Sequence, residues 1–326
     1  MSQFLEVPTV LITNSNENPD FNIYLQRSNG SMVLYSQPQK FSEKHRQNLI
    51  DNNITKLFIE NNESITYDEF VKKNLPQLIM DDNVSADDKA NIIYTHSTEM
   101  IKSAIFKESH GVPLDTQKQL LNLVDYVFDF LVNHKGGLES FSKLIATHYA
   151  EYIHSVNVMV YAMAFLIFYY NKTDQKLPLK STLRYFGLGA LLHDVGKLKI
   201  SSCILNKPGR LNKEENEEIK KHVVYGVDLC QSLNLDELTI HIILFHHEKK
   251  DGSGYPMGTT NIPFYPQIVT ICDIYDAMTC NRPYRARKFT PFETLKTLRK
   301  DAEKNKINPE LFKHFVEMIS SNQFTL

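Results

Sequence analysis

Residues 1–84 carry short runs of β-branched and aromatic residues separated by turn-forming clusters. Strands are predicted at 7–13, 22–27, 31–36 and 55–60, because Val, Ile, Tyr and Phe suit a half-buried pleated surface. Apolar residues at helical spacing predict helices over about 42–52 and 67–80. The order β, β, β, α, β, α is typical of a small α+β domain.

From residue 85 onward the apolar positions recur almost entirely at helical spacing. Ser85 is predicted to cap a helix that runs to about 106, and a second helix is predicted over about 114–134, so 85–137 is interpreted as a helical connector. Further helices are predicted over about 138–170, 179–195, 213–232, 236–247, 265–280, 291–305 and 308–320. The chain is therefore expected to be mainly α, with an all-α helical bundle at 138–326 behind the small α+β domain.

Two of the predicted helix starts carry a capping signature. Asn212 precedes Glu215 by three residues, and Thr290 precedes Glu293 by three, so each pair can exchange hydrogen bonds between side chain and backbone. Pro291 also suits the first helical position, where its missing N–H has no intrahelical partner to lose.

Length and composition narrow the class of protein. The 326 residues exceed the usual size of one domain, which favours two compact units. A formal charge of -2, from 36 basic and 38 acidic residues, gives no sign of a surface for nucleic-acid polymers. The four cysteines form no CxxC pair and no secretory signal opens the sequence, so reduced thiols and a cytoplasmic location are expected.

One apolar run, VNVMVYAMAFLIFYY at 156–170, resembles a membrane segment in composition. It is shorter than the roughly 18 to 20 apolar residues that a bilayer span needs. It also follows directly on His154, which belongs to a candidate polar site. We therefore predict a buried core helix and no membrane span.

Candidate chemistry begins at LLHDVGK (191–197), where an apolar helix ends in His193 and Asp194. A histidine and a carboxylate at one helix end can bind a metal together, and a carboxylate can also bridge two ions. On its own, the pair also fits a capped helix end with a satisfied histidine.

Two further motifs carry polar residues at the ends or on one face of apolar helices. FHHEKKDGSGYP (245–256) places His246 and His247 side by side, and at most one of two adjacent imidazoles can face a core without an unpaired nitrogen. TICDIYDAMTCNRPYR (270–285) places Asp273 and Asp276 on one helix face. A buried carboxylate needs a partner, so one of these can bind a metal while the other orients a neighbouring ligand.

Two isolated histidines, His154 and His222, complete the set, although each alone would more often be a structural or surface residue. Together with the motifs they bring the candidate ligands to seven: His154, His193, Asp194, His222, His246, His247 and Asp273. A set of nitrogen and oxygen donors without thiolates suits iron, manganese or another first-row metal, and its size is sufficient for two ions sharing a carboxylate.

A centre of two metal ions predicts a metal-dependent phosphodiesterase. Ions about 3.5 to 4 Å apart can activate water and stabilise the entering and leaving oxygens of a phosphoryl displacement. Lys197, Arg282 and Arg285 lie within the motifs and are candidates for binding phosphate. Outside such motifs, basic residues would be interpreted as solvated surface.

Taken together, the motifs resemble those of the HD-GYP family, a branch of the HD phosphohydrolases whose members hydrolyse the bacterial second messenger cyclic di-GMP. HDVGK, HHEKKDGSGYP and DIYDAMTCNRPYR occur in the family's order and approximate spacing, and the resemblance covers about 138–322. It implies an HD-type helical bundle with a centre of two or three iron or manganese ions.

The resemblance also implies a role for each residue. One ion would be held by His154, His193, Asp194 and Asp273, and the other by Asp194, His222, His246 and His247, with Asp194 as the bridge. Asp194 and Lys197 would be catalytic, the dinucleotide would contact Lys197, Gly252, Gly254, Tyr255, Arg282 and Arg285, and Asp276 would orient a ligand. Members with a third ion place a glutamate where this chain has Ala150, so two ions are favoured, although Glu151 could substitute.

Hydrolysis of cyclic di-GMP to pGpG is the leading hypothesis, and the sequence leaves open whether hydrolysis continues to GMP. One alternative is the same chemistry on another cyclic dinucleotide, such as a mixed guanine–adenine species. The other is a catalytically silent or gated receptor or scaffold that binds cyclic di-GMP. Residues 1–84 are interpreted as a regulatory or interaction domain with an unnamed ligand or protein partner, and a passive structural role and a homodimer remain open.

Overall fold

The computed structural model describes residues 3–105, 116–134, 136–145, 150–281 and 287–321. The chain divides into two compact units, Met1–His96 and Ser97–Leu326. The boundaries at 84 and 137 that the sequence suggested remain predictions.

The first unit is a four-stranded antiparallel sheet with helices, in the strand order β1-β4-β2-β3. Leu11, Leu49, Leu57 and Val71 belong to its buried core and come from three helices and a strand. The predicted α+β class of this region is confirmed. Its elements are β1 (Phe4–Pro8), α1 (Thr9–Thr13), β2 (Ile23–Gln26), β3 (Met32–Ser36), α2 (Glu43–Asp51), β4 (Lys56–Glu60) and α3 (Ser64–Met80).

The predicted strand at 7–13 is mostly wrong. Pairing with β4 ends at Pro8, and the chain turns directly into the short helix α1. Leu11 and Ile12 of this helix are fully buried. Burial against the rest of the unit therefore outweighs the β propensity of this Val- and Ile-containing segment.

The second unit is built of helices, as predicted, and α4 (Ala86–Ala104) runs across the boundary between the units. In two places where one long helix was predicted, the structure has a pair of shorter helices. Residues 138–170 contain α6 and α7, with Ala150 extended ahead of α7, and 213–232 contain α10 and α11. The helices that follow α4 are α5 (Thr116–Asn133), α6 (Gly137–Ile145), α7 (Glu151–Lys172), α8 (Lys180–Leu192), α9 (Ser202–Leu205), α10 (Lys213–Lys220), α11 (His222–Leu229), α12 (Glu237–Phe245), α13 (Phe264–Thr279), α14 (Pro291–Glu303) and α15 (Pro309–Ser320).

The predicted capping signatures form at both helix starts. Asn212 and Glu215 exchange side chain and backbone hydrogen bonds at the start of α10, and Thr290 and Glu293 do so at the start of α14. Ser85 accepts a hydrogen bond from the backbone of Asp88, as a cap of α4 should.

Helix α7 forms the centre of the helical unit and packs against α8 and α13. It is long and apolar enough to cross a membrane, but 72% of its most apolar window is buried inside the protein. A helix that is apolar on all sides is expected in the core of a helical bundle. The burial agrees with the prediction of a core helix.

A close approach of two backbone segments sets the position of the turn after α8. Val195–Lys199 forms a 3₁₀ turn that lies against α11. A Cβ added at Gly196 would stand 1.8 Å from the carbonyl oxygen of His222 and 2.4 Å from the amide nitrogen of Gly226. Only glycine permits this contact, which places the residues around Gly196 directly beside the first turn of α11.

Replacing Gly196 with Ala should lower the free energy of unfolding by about 2 kcal/mol or more, because backbone atoms block the new methyl group. Denaturant unfolding followed by circular dichroism measures the change. Gly137→Ala is the control, since its Cβ would first meet a side-chain carbon of Phe130, at 3.1 Å, and not a backbone atom. An equal loss in the two variants would contradict the importance of the backbone contact.

Candidate metal centre

The structure brings the seven predicted ligand residues together from five places in the helical unit. His154 lies in the first turn of α7, His193 and Asp194 directly follow α8, His222 begins α11, His246 and His247 directly follow α12, and Asp273 lies within α13. They form two groups, in each of which the candidate ligand atoms lie within 4.8 Å of one another. The first group is His154, His193 and Asp273, and the second is Asp194, His222, His246 and His247.

The carboxylate of Asp194 lies between the two groups and directs one oxygen toward each. Its Oδ2 is 3.4 Å from Nε2 of His154 and 3.3 Å from Nε2 of His193. Its Oδ1 is 3.3 Å from Nε2 of His222 and 3.9 Å from Nε2 of His246. This is the arrangement that a bridging carboxylate requires.

Three of the imidazoles are oriented by backbone carbonyl oxygens three residues earlier in the chain. Nδ1 of His193 lies 2.8 Å from the carbonyl oxygen of Ala190, and Nδ1 of His222 lies 2.7 Å from that of Ile219. Nδ1 of His246 lies 3.0 Å from the carbonyl oxygen of Ile243. A carbonyl oxygen only accepts, so Nδ1 donates in each ring and Nε2 faces the centre.

His154 is oriented by a buried polar network instead. Its Nδ1 lies 2.6 Å from Oδ2 of Asp276, and the amide of Asn157 donates to Oδ1 of the same carboxylate at 2.9 Å. The thiol of Cys280 also donates to that oxygen, at 3.3 Å. Asp276 is thus in contact with a candidate ligand, as the predicted orienting role requires. The hydrogen bonds of Asn157 and Cys280 to Asp276 were not predicted.

Burial and charge set the protonation states of the cluster. Burial, with the neighbouring imidazoles, holds the pKa of His246 well below its usual range, and burial lowers the pKa of His247 to about 3. Burial also lowers the pKa of His222. These three rings are therefore neutral near pH 7, as metal-binding imidazoles must be.

The first group favours a positive charge at its centre. Burial by itself would lower the pKa of His154. Hydrogen bonds to Asp194, Asp273 and Asp276 outweigh it and raise this pKa well above its usual value. Against the same burial, His154 and other imidazoles hold the pKa of Asp273 well below its usual range. The charges of Lys197 and His193 likewise hold the pKa of Asp194 well below its usual range. A proton or a metal ion can supply the positive charge that these carboxylates stabilise.

The donor set fits a metal ion by its chemistry and by one buried atom. Nε2 of His193 is fully buried and has no hydrogen-bond partner among the described residues. An unsatisfied buried nitrogen beside two carboxylates calls for a bound group. Imidazole nitrogens and carboxylate oxygens are ligands for first-row divalent metals, so this buried cluster can bind metal.

Lys197 lies at the edge of the cluster, in the 3₁₀ turn that follows Asp194. Its Nζ donates to Oδ2 of Asp194 at 2.6 Å and to Oε2 of Glu151 at 3.3 Å. The side chain is 13% exposed, so its ammonium lies mostly out of bulk water. Glu151, which the sequence offered as a ligand for a third ion, is paired with this lysine.

Tyr255 forms a wall beside the second group. Its ring stacks on His247, with centroids 4.8 Å apart and an angle of 27° between the planes. Nζ of Lys220 lies 5.8 Å from the ring centroid. Burial, with the charges of Asp194 and Asp273, raises the pKa of Tyr255, so its hydroxyl keeps its proton at neutral pH.

The structure explains why Gly252 and Gly254, in the turn after His247, are glycines. A Cβ at Gly254 would stand 2.3 Å from the amide nitrogen of Lys249 and 2.5 Å from Cα of Glu248, so the turn packs directly on the chain after His247. Gly252 has a φ of +78°, which favours glycine. Their contact with a substrate remains a prediction, and Arg282 and Arg285 lie outside the described residues.

Comparisons with known proteins agree with this site. The family model described as HD domain matches residues 157–311. The chain is 31% identical over 222 residues to a cyclic di-GMP phosphodiesterase of Pseudomonas aeruginosa, a match that covers 66% of this chain and 50% of that protein. It is 44% identical over 103 residues to a cyclic di-GMP phosphodiesterase of Thermotoga maritima, covering 30% of this chain and 28% of that protein.

A third relative carries a different substrate in its name. A 3'3'-cGAMP-specific phosphodiesterase of Vibrio cholerae is 37% identical over 125 residues, which is 38% of this chain and 27% of that protein. The chain thus spans half, or less, of the length of these curated relatives.

The fold has a counterpart among solved structures. An HDG"Y"P protein from Bdellovibrio bacteriovorus superposes with a TM-score of 0.65 at 20% identity, covering 98% of this chain and all of that one. The family match, the curated relatives and the three motifs agree, so residues 157–311 form an HD domain that is similar to those of the HD-GYP branch.

Proposed function

We propose that this protein is a metal-dependent phosphodiesterase that hydrolyses cyclic di-GMP. The observation that carries the proposal is the position of Asp194, which directs one carboxylate oxygen to each of two ligand groups. A site that shares one carboxylate between two groups is suited to two divalent ions. Iron or manganese fits the nitrogen and oxygen donors best, and a cytoplasmic location fits a substrate that is an intracellular messenger.

The names of the relatives support the same chemistry. Those from P. aeruginosa and T. maritima are called cyclic di-GMP phosphodiesterases. Two bound ions would supply activation of water and stabilisation of negative charge at phosphorus. His154, His193 and Asp273 would hold one, His222, His246 and His247 the other, and Asp194 both.

Residues beside the metal ligands would bind the substrate. Lys197 holds a positive charge 2.6 Å from Asp194, where it would bind an oxygen of the scissile phosphate and help the departing 3'-oxygen. Tyr255 presents an aromatic ring beside His247, against which part of the dinucleotide would pack. Contacts from Gly252, Gly254, Arg282 and Arg285 complete the proposed substrate site.

A second substrate is favoured by a specific observation, because one relative is named for 3'3'-cGAMP. The ligand cluster itself acts on a phosphodiester and carries no information about the bases. Turnover of cyclic di-GMP and of 3'3'-cGAMP should therefore be compared with the same anaerobically purified, metal-analysed protein. Binding of either dinucleotide without turnover, in protein with its full metal content, would favour the receptor alternative.

Replacing Asp194 with Ala should remove the bridge and lower the metal content from about two ions per chain to less than one, with loss of turnover. Metal analysis and nucleotide chromatography of the same sample measure both. Asp228→Ala is the matched control, because Asp228 is an exposed carboxylate on α11. Full metal content in the Asp194 variant would exclude the bridging role.

Replacing Lys197 with Met should leave the metal content unchanged and reduce kcat by about 100-fold or more, because a charge aimed at the reacting phosphate is lost. The control is Lys199→Met, an exposed lysine of the same turn that lies over the ring of Tyr225. Loss of metal from the Lys197 variant, or turnover equal to that of the control, would contradict the proposed role.

A further inference from the structure

One carboxylate next to the candidate ligands has no place in the function proposed so far. Glu248 directly follows His246 and His247, and its residue is 1% exposed. Its Oε1 accepts hydrogen bonds from the backbone of Met257 at 2.7 Å and of Gly258 at 3.1 Å. Its Oε2 accepts from the backbone of Thr259 at 3.1 Å. Both oxygens are thus used to bind one turn of the chain.

Three successive backbone N–H groups that converge on one point form a binding site for an anion. In a glycine-rich turn beside a phosphodiesterase centre, such a site would suggest a cradle for substrate phosphate. Here the anion is the chain's own Glu248, so these three N–H groups are already satisfied. Substrate phosphate must be bound by other groups, such as Lys197.

The same turn is joined to the ligand segment at two further points. The backbone N–H of Tyr255 donates to the carbonyl oxygen of His247 at 3.3 Å. Gly254 packs on the backbone of Glu248 and Lys249, with no room for a Cβ. The turn is therefore attached to the residues on both sides of Glu248, and Glu248 supplies its charge-assisted bonds, which are the stronger kind.

We infer that Glu248 is a positioning residue that fixes the turn at 252–259 and so holds Tyr255 over His247. One short segment then does two things: His246 and His247 face the metal centre, and Glu248 sets the wall beside it. The inference about the turn stands on hydrogen bonds and packing. Its consequence for catalysis rests on the proposed function.

The variant Glu248→Gln tests the inference with little change in shape. A glutamine amide accepts through one oxygen only, and its NH₂ group would face a backbone N–H that has lost its partner. We expect hydrogen exchange in peptides covering 250–262 to become at least about ten-fold faster, while metal content stays at the wild-type level. With cyclic di-GMP we expect KM to rise about ten-fold and kcat to change by less than about three-fold.

Glu237→Gln provides the matched control, because Glu237 lies on α12, the helix that leads into this segment, and its side chain is 84% exposed. Exchange and KM should match wild type in this control. Wild-type exchange in the Glu248 variant would overturn the inference. Loss of metal would also overturn it, since Glu248 would then act on the histidines and not on the turn.

A measurement on the wild-type protein covers the case in which the variant does not fold. The N–H groups of Met257, Gly258 and Thr259 lie outside any helix or strand, yet bonding to Glu248 should protect them from exchange at least about ten-fold. Exchange at the unprotected rate would overturn the inference. If the wild-type protein hydrolyses no cyclic dinucleotide, the proposed function fails, while the exchange experiments still decide the role of Glu248.

Discussion

The buried carboxylate of Asp194 is the feature on which the rest of the helical unit depends. A charge removed from water is costly unless other groups compensate it, and Asp194 is surrounded by the ammonium of Lys197 and by four imidazoles. His193 and Lys197 are its neighbours in the chain, but His154, His222 and His246 come from segments that are distant in the sequence. The packing of these segments must therefore satisfy the charge as well as the apolar core.

The backbone around Asp194 has little freedom to adjust. Gly196 allows the turn after Asp194 to touch the first turn of α11, where His222 begins the helix. The Nδ1 atoms of three imidazoles are held by carbonyl oxygens three residues earlier in the chain, and that of His154 by Asp276. Each ring thus has a set direction before any ligand binds, which is the condition for a preorganised metal centre.

The surface beside the metal centre is also fixed by contacts within the chain. A glycine-rich turn could bind substrate phosphate through its backbone, but its N–H groups are occupied by Glu248. The turn is then a rigid wall that carries Tyr255. The two substrates named among the relatives differ in a base and share the phosphodiester, so we expect metal-binding residues to serve both and the surrounding walls to discriminate.

Much of the site could be predicted from the sequence, because five of the seven candidate ligands lie in three compact motifs, at the ends or on one face of apolar helices. Paired polar residues such as His246 and His247 have few structural explanations, and capping pairs such as Asn212 and Glu215 mark helix starts locally. The segment at 7–13 was mistaken for a strand because local propensity does not register the burial of Leu11 and Ile12. Only the tertiary structure could show which oxygen of Asp194 faces which group, that Asn157 supports Asp276, and that Glu248 binds the turn at 257–259. These contacts join residues through space, and the periodicity of a sequence carries no information about which distant groups will meet.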